Sequence, residues 1–147
     1  SLPLAEGIEP NRDELRWLGK VQREIQAQSP DPAFSVEDLA ERLAVHRSRL
    51  HHRLRELTGF PPSRLISHWR LSRAADLLRQ REGNVSEVAY AVGFRSVEHF
   101  SRTFRKNYGQ SPSAFRRTAD SSRDPADGVS PSAWAQTPTS ADTGVEP

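Results

Sequence analysis

Two stretches of this chain repeat one another, and that repeat limits the folds open to it. Leu39, Ala40, Leu43 and Val45 recur as Val88, Ala89, Val92 and Phe94 at an offset of 49 residues. Leu50, Leu54, Gly59, Pro62 and Leu65 recur as Phe100, Phe104, Gly109, Pro112 and Phe115 at an offset of 50, so the second copy carries one extra residue in its turn. Each copy reads as a short helix, a tight turn and a longer helix, the outline of a helix-turn-helix. One such outline is common to many helical bundles; two copies flanking a long helix are far more restrictive. Ala40 and Ala89 fall where crossing helices approach closely and a larger side chain would splay them. Gly93 precedes Phe94 in a turn expected to need a positive φ.

The remaining pattern is helical throughout. Asn11 to about Gln28 places Leu15, Leu18, Val21 and Ile25 on one face, with Asn11 and Glu14 forming a capping box. Ser35 with Asp38, and Asn84 with Glu87, repeat that box at later starts, and Ser96 caps another. Leu50, Leu54 and Leu57 form the buried stripe of a basic helix that Gly59 ends. Pro62 suits the first turn of a long helix to about Gln80, with Leu65, Ile66, Trp69, Ala74, Leu77 and Leu78 inward. The fold expected is all-α, two homeodomain-like helix-turn-helix subdomains joined by a long linker helix. The expected divisions are a linker over 1–10, an N-terminal helix with the first helix-turn-helix over 11–60, the linker helix over 61–82, and the second helix-turn-helix over 83–117. Residues 118–147, rich in Ser, Thr, Pro, Asp and Ala, are expected to be a disordered tail with too little apolar content to offset ordering.

Charge narrows the partner. The formal net charge is +2, but residues 31–117 hold 16 Lys/Arg against 9 Asp/Glu, while the first 30 residues hold 4 against 5 and the last 30 hold 1 against 5. A basic middle between acidic ends suits a polyanion. With no cysteine, disulfides and thiol chemistry are excluded. No run approaches the roughly 18 apolar residues of a membrane span, so no membrane contact and a cytoplasmic location are expected. The chain has no methionine and is expected to continue a longer protein that senses and dimerises upstream.

The segments "FSVEDLAERLAV", "RLRELTGFPPSRLISHWRLSRAADLL" and "VSEVAYAVGFRSVEHFSRTFRKNYGQSPSAFR" resemble the DNA-binding domain of AraC/XylS-type transcription regulators over about Phe34 to Arg117. The stretch before them is most similar to members attached to two-component receivers or hybrid sensor kinases. The resemblance implies promoter DNA with two boxes as the partner, RNA polymerase as a further one, and activation as the outcome.

The segment "HRSRLHHRLREL", residues 46–57, could be a metal site, a catalytic cluster or a phosphate-facing surface. His46, His51 and His52 are spaced by five and one, which scatters them around a helix, whereas paired ligands want i and i+4. The second copy supplies a comparison, because Arg102, Arg105 and Lys106 lie beside Ser101 and Thr103 opposite its own apolar stripe. A polar, basic face repeated in register favours DNA over an idle solvated surface. Such helices fit major grooves, and a linker helix of about 19 residues, about 28 Å long, is compatible with grooves about 34 Å apart.

Carried over by position, the resemblance assigns base reading to Ser48, His51, His52, Val97, Glu98, Ser101 and Arg102. Arg102 suits guanine, Glu98 a cytosine amino group and Val97 a thymine methyl. Arg47, Arg49, Arg53, Arg55, Arg95, Arg105 and Lys106 are phosphate candidates. His46 departs from the family, which usually places a serine cap there, so a looser start of the first recognition helix is expected. No nucleophile with base and orienter, no phosphate loop and no metal set is visible; neither an enzyme nor a cofactor is expected. The competing reading is a helical protein-interaction module with an incidentally basic surface.

Overall fold

In a computed structural model of the chain, which describes residues 2–119, every regular element among those residues is a helix. These are α1 (Arg12–Gln28), α2 (Val36–Arg42), α3 (Arg47–Thr58), α4 (Pro62–Arg79), α5 (Val85–Ala91), α6 (Val97–Tyr108) and α7 (Pro112–Thr118). Local chemistry sets their starts. Asn11 accepts from the Glu14 amide while Glu14 accepts from the Asn11 amide, both at 2.8 Å. Ser35 and Asp38 close the same box before α2, as do Asn84 and Glu87 before α5. Each box satisfies two amides that the first turn leaves without a helical acceptor. Gly59 and Gly109 end α3 and α6 in the left-handed region, with φ of 86° and 78°.

The chain divides into two compact units. One comprises residues up to Leu71 together with Ala91–Gly93; the other comprises Ser72–Tyr90 with the described residues from Phe94 onward. In the first unit α1 buries Leu18, Val21 and Ile25, α2 buries Leu39 and Ala40, and α3 buries Leu50, Leu54 and Leu57. Each buried leucine contributes about 1.5–3 kcal/mol relative to exposure. Leu15 departs from the expected stripe: it lies a turn before the packed face begins and is 54 % exposed. Trp69, expected inward, is only half-buried, and the α4 positions buried instead include Leu71 and Ala75. An ion pair between Arg42 and Glu24 links α2 to α1. The Ala5 amide donates to the Leu57 carbonyl at 2.8 Å, so the segment before α1 satisfies one of the last carbonyls of α3.

Arg70 of α4 donates from Nε to the Ser29 carbonyl at 2.8 Å and from an Nη to the Asp31 carbonyl at 3.0 Å. Gly93, in the same unit, packs into this corner with φ 108°. A Cβ there would lie 2.2 Å from the Ser29 carbonyl oxygen and 2.7 Å from Arg70 Nε. Glycine is therefore required by crowding as well as by backbone angle.

The second unit is aromatic. Phe100 and Phe104 are fully buried, and successive rings from Phe94 through Phe100 and Phe104 to Phe115 lie 5.1–5.6 Å apart. Tyr108 stacks on Phe104 at 4.5 Å, and the Arg79 guanidinium lies over Phe115 at 5.2 Å. Tilted and edge-on geometries of this kind suit ring quadrupoles. α7 runs through Thr118, one residue past the expected end of order; the tail expectation otherwise lies outside the described residues.

Candidate nucleic-acid interface

The turns that aim α3 and α6 each close with an equivalent hydrogen bond. The Val45 amide donates to the Ala40 carbonyl, and the Phe94 amide to the Ala89 carbonyl, each at 3.0 Å. From there α3 and α6 run in register over 12 residues each, at an offset of 50. At about 100° per residue, the buried Leu50, Leu54 and Leu57 face opposite to Ser48, His52 and Arg55. Phe100, Phe104 and Asn107 likewise face opposite to Glu98, Arg102 and Arg105. Both helices thus anchor one stripe and present a polar stripe to solvent.

Placement follows that geometry. Ser48, His52, Glu98 and Arg102 are exposed; His51 and Ser101 sit half-buried beside each outward stripe, whereas Val97, also half-buried, opens α6 on the side nearer its buried stripe. Of the phosphate candidates, Arg47, Arg49, Arg55, Arg95, Arg105 and Lys106 are exposed. Arg47 pairs with Glu37 at 3.1 Å, a contact between exposed side chains that contributes at most about 1 kcal/mol. Arg53 is half-buried, its guanidinium 4.3 Å from the centre of the Trp17 ring. That stacking couples α3 to α1, and no local sequence spacing signals it.

The capping of α3 differs from the expectation of a loose start. His46 Nδ1 accepts from the Ser48 amide at 3.2 Å and lies 2.9 Å from the Ser48 hydroxyl. In α6, Ser96 accepts from the His99 amide at 3.1 Å. His99 went unnoticed in the sequence. Its ring meets Phe94 at 5.5 Å, and burial, then the nearby Arg102 charge, lowers its pKa. The His99 imidazole thus lies near the arginine of the outward stripe. His46, spent on a cap, does not join His51 and His52, and no three His, Asp or Glu side chains gather as metal ligands would among the described residues.

The sequence pattern of the helix-turn-helix domain family matches residues 39–118, more than half of the chain. The solved DNA-binding domain of AdpA in complex with a target DNA is 33 % identical, with TM-score 0.67 over 72 % of this chain and 95 % of that one. An AraC-type regulator from Chromobacterium violaceum is 28 % identical, with TM-score 0.67 over 74 % of this chain and 96 % of its own. This chain belongs to the AraC-type DNA-binding domain family.

Further relatives agree. The C-terminal domain of the two-component response regulator yesN from Fusobacterium nucleatum is 27 % identical, with TM-score 0.66 over 69 % of this chain and 98 % of its own. The transcriptional activator RhaS of Escherichia fergusonii is 38 % identical over 90 residues, which is 61 % of this chain and 32 % of that protein. The chain thus spans about a third of the length of that relative. AraC-type domains form a family of DNA-binding transcription regulators rather than of enzymes. No helix among the described residues is long and apolar enough to cross a membrane.

Proposed function

We propose that this chain binds a double-stranded promoter site of two boxes, one for α3 and one for α6 in successive major grooves, and regulates transcription as an activator. The observation that carries the reading is the repeated outward stripe: Ser48, His52 and Arg55 on α3 occupy the same helical positions as Glu98, Arg102 and Arg105 on α6. Base contacts are assigned to Ser48, His51, His52, Val97, Glu98, Ser101 and Arg102, because these lie at the start and outward side of helices that fit a major groove. Phosphate contacts are assigned to Arg47, Arg49, Arg53, Arg55, Arg95, Arg105 and Lys106, which would set register and salt dependence. Arg53 would do so while also holding Trp17.

The domain is proposed to be the output end of a longer regulator, dimerised and switched by a region upstream such as a receiver or hybrid kinase, and to contact RNA polymerase in the cytoplasm. The divisions at residues 10, 60, 82 and 117 are proposed as its functional boundaries.

Binding selected from randomised duplexes, followed by bandshifts, tests the reading. Arg102→Ala should relax choice at one base pair at a cost of about 1–3 kcal/mol. Arg55→Ala should weaken every sequence alike and flatten the salt dependence by about one phosphate contact. It is a cleaner probe than Arg53→Ala, which would also remove the stacking on Trp17. If neither variant alters binding, the assignment fails.

A further inference from the structure

The second unit contains a cleft of about 370 Å³ lined by Arg81, Asn84, Ser86, Ser113, Arg116 and Arg117, together with Val85. None of these side chains belongs to the outward stripe of α6, and none is among the base or phosphate contacts assigned above. Three guanidinium groups share the cleft, and no carboxylate lines it among the described residues. Like charges held around one concavity repel, a cost that an anion between them would reverse.

The orientation of the polar groups agrees. Arg81 donates to the Arg116 carbonyl at 3.5 Å, which holds the α4–α5 turn against α7. Arg116 Nε is buried and meets no acceptor among the described residues. A buried donor left unmade costs about 1–3 kcal/mol, so an acceptor supplied from outside would be stabilised there. Asn84 Oδ1 already accepts from the Glu87 amide at 2.8 Å, which leaves its NH₂ group as a further donor. The Glu87 carboxylate in turn accepts from the Asn84 amide at 2.9 Å. Hydroxyls of Ser86 and Ser113 complete a rim that can donate throughout. Forked guanidinium donors with hydroxyls match the oxygens of a phosphate better than those of a single carboxylate.

We propose that the cleft between the α4–α5 turn and α7 binds a phosphate group. Two sources offer that chemistry: a backbone phosphate of DNA flanking the box read by α6, or a free phosphorylated small molecule. The DNA source rests on the function proposed above; the free source does not.

The test uses the whole 147-residue chain, an Arg81→Asn/Arg117→Gln variant, and Arg117→Gln alone should the double variant melt early. Asparagine suits position 81, whose φ is 56°. Two measurements are made on each protein. One is affinity for a selected duplex across about 50 to 200 mM salt; the other is calorimetric titration with inorganic pyrophosphate at low salt.

If DNA supplies the phosphate, the double variant should lose about 0.9 from the log–log salt slope for each contact removed, with base preference unchanged. If a free phosphate is the ligand, wild type should bind pyrophosphate, the variant about tenfold more weakly, and the DNA slopes should coincide. A wild-type DNA slope in the variant, combined with pyrophosphate that is either not bound or bound equally by both proteins, overturns the proposal. Failure of wild type to bind any duplex would instead sink the preceding function and leave pyrophosphate alone to decide the cleft.

Discussion

The turn before the first recognition helix bends at Ala44 with φ 58°, and the turn before the second bends at Gly93 with φ 108°, yet both close on the same amide-to-carbonyl bond. Their packing also differs. The first unit seats α3 on Leu50, Leu54 and Leu57; the second seats α6 on Phe100 and Phe104 within a chain of rings. One backbone plan is thus met by an aliphatic core in one copy and an aromatic one in the other. The plan needs apolar volume at fixed helical positions, not particular side chains. What the copies do not share is tolerance at the turn. Ala44 is exposed and carries a Cβ in the left-handed region, whereas the place of Gly93 is closed by the Ser29 carbonyl and Arg70.

Substitutions can break this contrast, beginning with the largest effect. Gly93→Ala should cost about 4 kcal/mol, because it adds an overlap with backbone to a strained φ. Denaturant unfolding would show it, and a cost below about 1 kcal/mol would mean that the corner at Ser29 is soft.

Acid should act next, and on the first unit. Burial, then the Arg64 charge, lowers the pKa of His68 from 6.5 to about 4. Between those values the unfolded chain binds a proton that the folded chain does not, so stability is full above pH 6.5 and falls as the pH drops towards 4. The loss should approach about 3 kcal/mol. Melting curves of wild type and His68→Gln across that range would check it; the variant should lack this part of the pH dependence.

Caps come third. Ser96→Ala should cost about 1 kcal/mol, seen as a lower melting temperature. His46→Ser should be neutral or slightly stabilising, since a hydroxyl cap replaces an imidazole nitrogen. A clear loss on His46→Ser would show that the ring contributes more than its contact with the Ser48 amide.

The smallest effect is expected at Ala44→Gly. Relief of the left-handed strain, about 1 kcal/mol, is partly offset by the greater freedom glycine has in the unfolded chain. The opposite signs expected at Ala44 and Gly93, which are equivalent positions of the repeat, make the sharpest test of the contrast.

Much of this architecture is written within a few residues. Asn11 with Glu14, Ser35 with Asp38, Asn84 with Glu87 and Ser96 mark helix starts, and Gly59 with Pro62 marks an end and a new beginning. These groups satisfy amides and carbonyls of their own turn, so spacing alone identifies them. The duplicated apolar positions locate both recognition helices, and from them the outward stripes of candidate contacts.

Other features needed the chain to close on itself. Leu15 continues the periodic pattern of α1 yet has no partner to cover it, because amphipathic spacing tells which face turns inward but not where the cover ends. Arg53 reads like any arginine of its helix until Trp17 arrives from another. Arg81 is distant in sequence from the neighbouring pair Arg116 and Arg117, and the three share a cleft only when α7 meets the α4–α5 turn. Sequence by itself determined the helices, their caps and the repeat, since hydrogen bonds and apolar period act over one to four residues. Tertiary structure alone decided which charges stack, which gather and why position 93 admits only glycine, since those depend on atoms brought together from distant parts of the chain.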